Sequence, residues 1–229
     1  MAARSGRLLV GYQFNFAPVI ANFDQLLVGA LVTIQLSFGA MVLGTVIAIA
    51  CAVAKTAGPK PLRFLVDCYI EVIRNTPFLV QIFFIFFALP SLGIRLSPNT
   101  AALTVNVGAY ATEIIRAGIE SINRGQVEAG TALGLKRAQI FRYIIMKPAL
   151  RTIYPALTSQ FIYLMLTSSV VSVISATDLA AAGNNIQSQT FAAFEVYLVI
   201  TVMYLILSLG FSALFALIQR WAFDYPLAR

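Results

Sequence analysis

Long apolar runs alternate along the chain with short joints marked by charge, proline or glycine. Five of the runs approach the roughly 20 apolar residues that a membrane helix needs. The first extends from about Leu26 to Ala54, with no charge between Asp24 and Lys55. The second begins near Phe64, carries Asp67, Glu71 and Arg74, and then runs apolar to Leu89. The third, about Leu96 to Ser121, is the weakest, with Asn99, Asn106, Glu113 and Arg116 along it. The fourth covers about Ile153 to Ala176 and the fifth about Val196 to Gln219. The joints are Gly58-Pro59-Lys60-Pro61, Leu89-Pro90 and Ala182-Gly183-Asn184-Asn185, residue types that interrupt helices. The pattern predicts an all-α membrane protein with five transmembrane helices and no internal repeat.

Composition agrees. Hydrophobic residues make up 59% of the 229, charged residues 11%, and mean hydropathy is +0.84; a soluble domain has about 25% charged residues. The absence of histidine excludes His-based catalysis and His metal ligation. Cys51 and Cys68 have no metal-ligand spacing. The first 25 or so residues lack a compact apolar core with a small-residue cleavage site, so no cleaved signal peptide is expected.

The net charge of +7 reflects topology rather than nucleic-acid binding. Twelve of the sixteen lysines and arginines fall on one side of the predicted spans: Lys55, Lys60 and Arg63; Arg116, Arg124, Lys136, Arg137, Arg142, Lys147 and Arg151; Arg220 and Arg229. Only Arg4, Arg7 and Arg95 fall on the other, and Arg74 lies within a span. The positive side is normally cytoplasmic. Residues 1–25 are therefore expected outside, a single transmembrane domain at 26–221 with a cytoplasmic loop at 124–148, and a cytoplasmic tail at 222–229.

That loop is the charged exception in an apolar chain. Glu128 to Leu135 is expected to form a short helix with Gly130 and Gly134 on one face, where missing side chains admit a partner's surface. Arg137 to Met146 carries Ile140, Phe141, Ile144 and Ile145 on one face, which suits a helix lying across a protein or membrane surface. Gly130–Lys136 is no phosphate loop, having neither a Gly-Lys-Ser/Thr ending nor a preceding strand. Any ATP chemistry belongs to another chain.

Polar residues within the spans are the other candidates. Arg74 lies ten residues beyond Phe64, about 15 Å deep at ~1.5 Å per residue, where an unpaired arginine costs at least ~2.5 kcal/mol. Glu113 is at similar depth, so the two are expected to meet, as a structural pair or with Arg74 lining a substrate route. Asn75-Thr76-Pro77 should break the second helix, and broken helices at mid-depth are where transporters expose backbone groups. Thr76 and Gln81 are route candidates beside it. Ser168, Ser169 and Ser172 either pack and bond back to their own helix or line a binding wall. Asp178 reads as a helix N-cap, with contact to a cationic substrate group as the alternative. Gly183–Phe194, rich in Asn, Gln and Ser, is an expected outer contact surface.

Glu128-Ala129-Gly130, then Gly134, Leu135, Ile144 and Pro148, resembles the EAA loop of permease subunits from bacterial ABC importers. Gly130 stands where the pattern has alanine, and the proline comes one position late, after Met146-Lys147. Arg74-Asn75-Thr76-Pro77 with Val80-Gln81 and Phe83-Phe84 is similar to a signature of the polar amino-acid branch, as are Ala109-Tyr110, Glu113-Ile114-Ile115-Arg116 and Gly118-Ile119. The resemblance covers nearly the whole chain and implies the type I (MetI-like) permease fold in the bacterial inner membrane. It implies transport of polar amino acids, or relatives such as opines, without covalent catalysis by this chain. ATP and Mg would sit on a cytoplasmic ATPase dimer docked at Glu128, Ala129, Gly130, Gly134 and Leu135. A soluble binding protein and a second permease subunit would complete the assembly. Leu166-Thr167 stand where such permeases often carry Lys followed by Asp or Asn, which favours a different chain as that second subunit. From residues alone, a gated channel or ion-driven carrier remains the alternative.

Overall fold

A computed structural model describes residues 14–94, 96–174 and 177–222; Arg4, Arg7, Arg95, Ser175 and Arg229 lie outside the described residues. The described chain is helical, with no strand. A short helix α1 (Ala17–Ala21) leads into α2 (Phe23–Ala57), which at ~1.5 Å per residue is about 50 Å long, followed by α3 (Lys60–Arg74) and α4 (Phe78–Ser91). Then come α5 (Pro98–Glu120), α6 (Arg124–Ala132) and α7 (Arg137–Gln139). A π-helical segment (Ile140–Ile145) joins α7 to α8 (Met146–Thr167), which tightens into a 3-10 segment (Ser168–Ile174). The chain closes with α9 (Leu179–Thr190) and α10 (Ala193–Ala222).

Small residues organise the interior. Ala40, Gly44, Ala48 and Ala52 recur every fourth position on one face of α2 and are all buried. They let α2 lie close along α5, whose Leu103, Val107, Ala111 and Ile115 fill the other side. Packing of this kind joins membrane helices when lipid offers no hydrophobic drive between them. Because α5 is wrapped by α2, α3, α4 and α8, its Thr104, Asn106 and Thr112 are buried in protein. That position accounts for its weak hydropathy.

Among the described residues, three helical stretches are long and apolar enough to cross a membrane: Phe23–Thr56, Arg137–Ile174 and Ala193–Ala222. The predicted second span is instead a pair of helices, Lys60–Arg74 and Phe78–Ser91, bent by 115°. The bend falls at the predicted breaker, Asn75-Thr76-Pro77, since proline can neither donate a backbone N–H nor fit the preceding helical turn. The fourth span begins well before Ile153. The segment expected to lie as a separate surface helix, Arg137–Met146, is the foot of this span. Pro148 withholds the N–H that Ile144 O would accept in an α-helix, and the turn before it is wound in the wider π form. Large apolar side chains remain exposed along α10, among them Leu205, Ile206, Leu209, Leu217 and Trp221.

Candidate functional site

The charged loop folds as a compact unit. Asn123 caps α6 by accepting from Gly125 N at 2.8 Å. The helix covers Arg124–Ala132 rather than the expected Glu128–Leu135, and a double hydrogen bond ends it. Leu135 N donates to Gly130 O (3.1 Å) and Gly134 N to Thr131 O (3.0 Å), with Gly134 at φ +76. This left-handed closure is the Schellman motif. Gly130 and Gly134 therefore do not share a helix face. Gly130 is buried, and a Cβ there would lie 2.5 Å from Ile144 Cδ1 and 3.3 Å from Ile140 Cγ1. Its missing side chain admits the chain's own π-segment, not a partner. Glu128, Ala129, Gly134 and Leu133 stay exposed and Leu135 is half-buried.

Behind this loop an ion network ties three helices together. Lys55 Nζ, ending α2, meets Asp67 Oδ1 of α3 at 2.8 Å and Glu113 Oε1 of α5 at 3.1 Å. Arg116 bridges Glu113 at 2.7 Å and Glu120 at 2.7 Å. The expected Arg74–Glu113 pair does not form: Glu113 is taken by Lys55 and Arg116. Sequence reasoning left Lys55 and Asp67 out of the site. The signal for Lys55 was its place as the first charge after α2's apolar run.

Arg74 ends α3 at the bend, exposed, with its guanidinium 5.6 Å from the centre of the Tyr110 ring on α5, a cation–π contact. Among the described residues no carboxylate lies within salt-bridge reach of it. Thr76 Oγ1 donates to Val72 O at 2.7 Å. Gln81 is buried at the break and bonded to Ile73, Thr76 and Asn106. Beside the bend a cavity of about 440 Å³ is lined by Val72, Ile73, Thr76, Val80, Phe84 and neighbours. Tyr69, unforeseen in the sequence, fastens α3 to α5 by donating to Val105 O at 2.6 Å. A Cβ on Gly108 would lie 2.7 Å from that hydroxyl.

The serines bond back to their own backbone: Ser168 to Met165 O, Ser169 to Leu166 O and Ser172 to Ser169 O, each at 2.7 Å. The 3-10 winding of this segment belongs to the same local geometry. Asp178 is fully buried and caps α9, its Oδ1 accepting from Ala181 N at 3.0 Å. Close by, Leu179 N donates to Thr33 Oγ1 of α2 at 3.1 Å, and α9 approaches α2 where Gly29 carries no side chain. Asp178 thus sits in the joint between α9 and α2 and does not face an open route.

Comparison with known proteins gives a consistent result. Residues 44–223 match the family described as binding-protein-dependent transport system inner membrane component. The glutamine transport system permease protein GlnP of Escherichia coli K12 is 36% identical over 213 residues, which is 91% of this chain and 97% of that protein. A probable glutamine ABC transporter permease protein of Bacillus subtilis strain 168, GlnM, is 34% identical over 201 residues, 86% of this chain and 93% of that one. Among solved structures, an amino acid ABC transporter with histidines superposes at TM-score 0.85 and 36% identity, covering 91% of this chain and 99% of that one. The MetNI methionine ABC transporter, at TM-score 0.66 and 21% identity over 90% and 96% of the two chains, shares the fold.

Proposed function

The chain belongs to the family of binding-protein-dependent transport system inner membrane components, as a permease subunit of an ABC importer, and on that premise we propose that its cargo is glutamine or another polar amino acid. The observation that carries the cargo class is the near full-length similarity to two glutamine permeases and to a solved amino acid transporter.

The chain crosses the membrane five times, N-terminus out and C-terminus in, with α5 as the span that hydropathy alone undervalues. The charge distribution supports this orientation. The unit of α6 and its glycine-closed turn, with Glu128, Ala129, Gly134 and Leu135 around the exposed Leu133, is the docking surface for a cytoplasmic ATPase dimer. That partner holds ATP and Mg. Gly130 serves the dock from inside by seating α6 on the π-helical segment that leads into α8, so that a push on the loop reaches a membrane span directly. Such seating is what rigid-body coupling between ATPase and bundle requires. A second permease subunit covers exposed apolar faces such as that of α10, and an extracytoplasmic binding protein delivers cargo.

The substrate route passes the α3–α4 bend. There Arg74, held over Tyr110 and with no carboxylate partner among the described residues, meets the cargo's carboxylate, with Thr76 beside it. The half-buried Glu113 cluster ties α2, α3 and α5 together, Asp178 caps α9 where it meets α2, and Ser168, Ser169 and Ser172 brace their own segment by bonding back to it.

Purification from the native membrane in mild detergent tests the assembly, with stoichiometric partners identified by mass spectrometry. An ATPase with a phosphate-binding loop should co-purify, and the complex in liposomes should import glutamine at the expense of ATP. Recovery of the chain alone, with uptake that follows an ion gradient, would overturn the reading.

A further inference from the structure

Gln81 is the buried polar residue at the bend, 8% exposed at the wall of the cavity there, with its amide committed to protein partners. In an uninterrupted helix residue 77 would donate its N–H to the carbonyl of Ile73, but Pro77 has no N–H to give. That carbonyl is nonetheless satisfied: Gln81 Nε2 donates to Ile73 O at 2.7 Å. The same nitrogen reaches Thr76 O at 3.0 Å and Thr76 Oγ1 at 2.8 Å, its two N–H groups shared among three acceptors. At the other end of the amide, Oε1 accepts from Asn106 Nδ2 of α5 at 3.3 Å. One helical turn beyond Asn106 stands Tyr110, and over its ring lies Arg74, the last residue of α3. Residues four apart share a helix face. The Gln81–Asn106 bond and the Arg74–Tyr110 stack are thus neighbouring attachments of one bend to one face of α5.

We propose that Gln81 is a positioning residue: its amide replaces the backbone donor lost at Pro77 and, anchored to Asn106, holds Arg74 over Tyr110 for the cargo carboxylate. The proposal rests on the reading of Arg74 as a residue of the route. A half-buried carbonyl stripped of its donor is destabilising, so without Gln81 the end of α3 would rewind or tilt and carry Arg74 away from its seat.

The test is uptake by the complete transporter in liposomes, normalised to assembled complex. Gln81→Met keeps the length of the side chain but has no N–H, and should slow uptake about tenfold, the scale of one lost buried hydrogen bond. Gln81→Glu keeps the acceptor and loses the donor, and should slow it at least as much. Arg74→Lys should also slow uptake about tenfold. The deciding measurement is the double variant, because a residue that acts through Arg74 adds nothing once Arg74 is altered. Gln81→Met with Arg74→Lys should be no slower than the slower single variant, whereas general destabilisation would multiply the two losses. Normal uptake by Gln81→Met or Gln81→Glu, or a multiplied loss in the double variant, would overturn the proposal while leaving Arg74 in the route. Normal uptake by Arg74→Ala would overturn the route itself, and the positioning role with it.

Discussion

Gly134 and Gly130 answer to separate constraints although they stand four positions apart. Around Gly134 nothing lies within 4 Å of where a Cβ would be, so space does not require glycine there. Its φ of +76 does: a left-handed backbone costs an ordinary L-residue about 1–2 kcal/mol, while asparagine tolerates it. Gly134→Asn should therefore retain ATP-driven uptake, whereas Gly134→Val should uncouple hydrolysis from transport by reshaping the turn. Parallel assays of ATPase activity and uptake check this, and equal coupling in the two variants would show that the turn's geometry is irrelevant. Gly134 was legible in the sequence as a special position, but its reason was not. Spacing by four predicts a shared helix face only while the helix continues, and this one stops at Ala132.

At the scale of elements, the bend between α3 and α4 was readable because Pro77 imposes it whatever surrounds it. The cap at Asp178 and the back-bonding serines were readable for the same reason, since each is decided within a few residues of chain. The partner of Arg74 was not readable. A 115° turn and the rotation of each helix about its axis decide which side chains meet, and hydropathy contains neither. Depth alone paired Arg74 with Glu113, yet α2 places Lys55 beside Glu113, with Asp67 of α3 on its other side. This network has unequal members. Glu113 is one-fifth exposed and joins two cations, while Glu120 is more than half exposed and touches only Arg116 within it. Removing the shared carboxylate leaves two partly buried cations with one partner each. Glu113→Gln should then lower stability by about 1–3 kcal/mol, and Glu120→Gln by under about 1 kcal/mol. Thermal unfolding of the purified complex measures both; equal losses would mean that the network is solvated and structurally idle.

Across the whole molecule, among the described residues, polar groups turn inward or gather towards the helix ends, and large apolar side chains stay exposed along α2, α4 and α10, the arrangement a bilayer demands. Its loop ends also carry opposite expectations. Leu92 is 71% exposed just after α4, and Leu133 is 80% exposed in the turn after α6. If twelve of sixteen cations mark the cytoplasmic side, these two leucines face different compartments. Cys51 and Cys68 must first be replaced, because both thiols are free and Cys68 is exposed. In that background a cysteine at Leu133 should react with a membrane-impermeant maleimide only in inverted vesicles, and one at Leu92 only in right-side-out cells. The assembled ATPase should shield the cysteine at Leu133 and leave the one at Leu92 unchanged, because an apolar side chain left bare at the tip of a charged loop gains most from being covered. Labelling of both from the same side would break the five-span topology. Labelling in the reversed sense would keep the five spans but place the α6 loop outside, where no ATPase could dock.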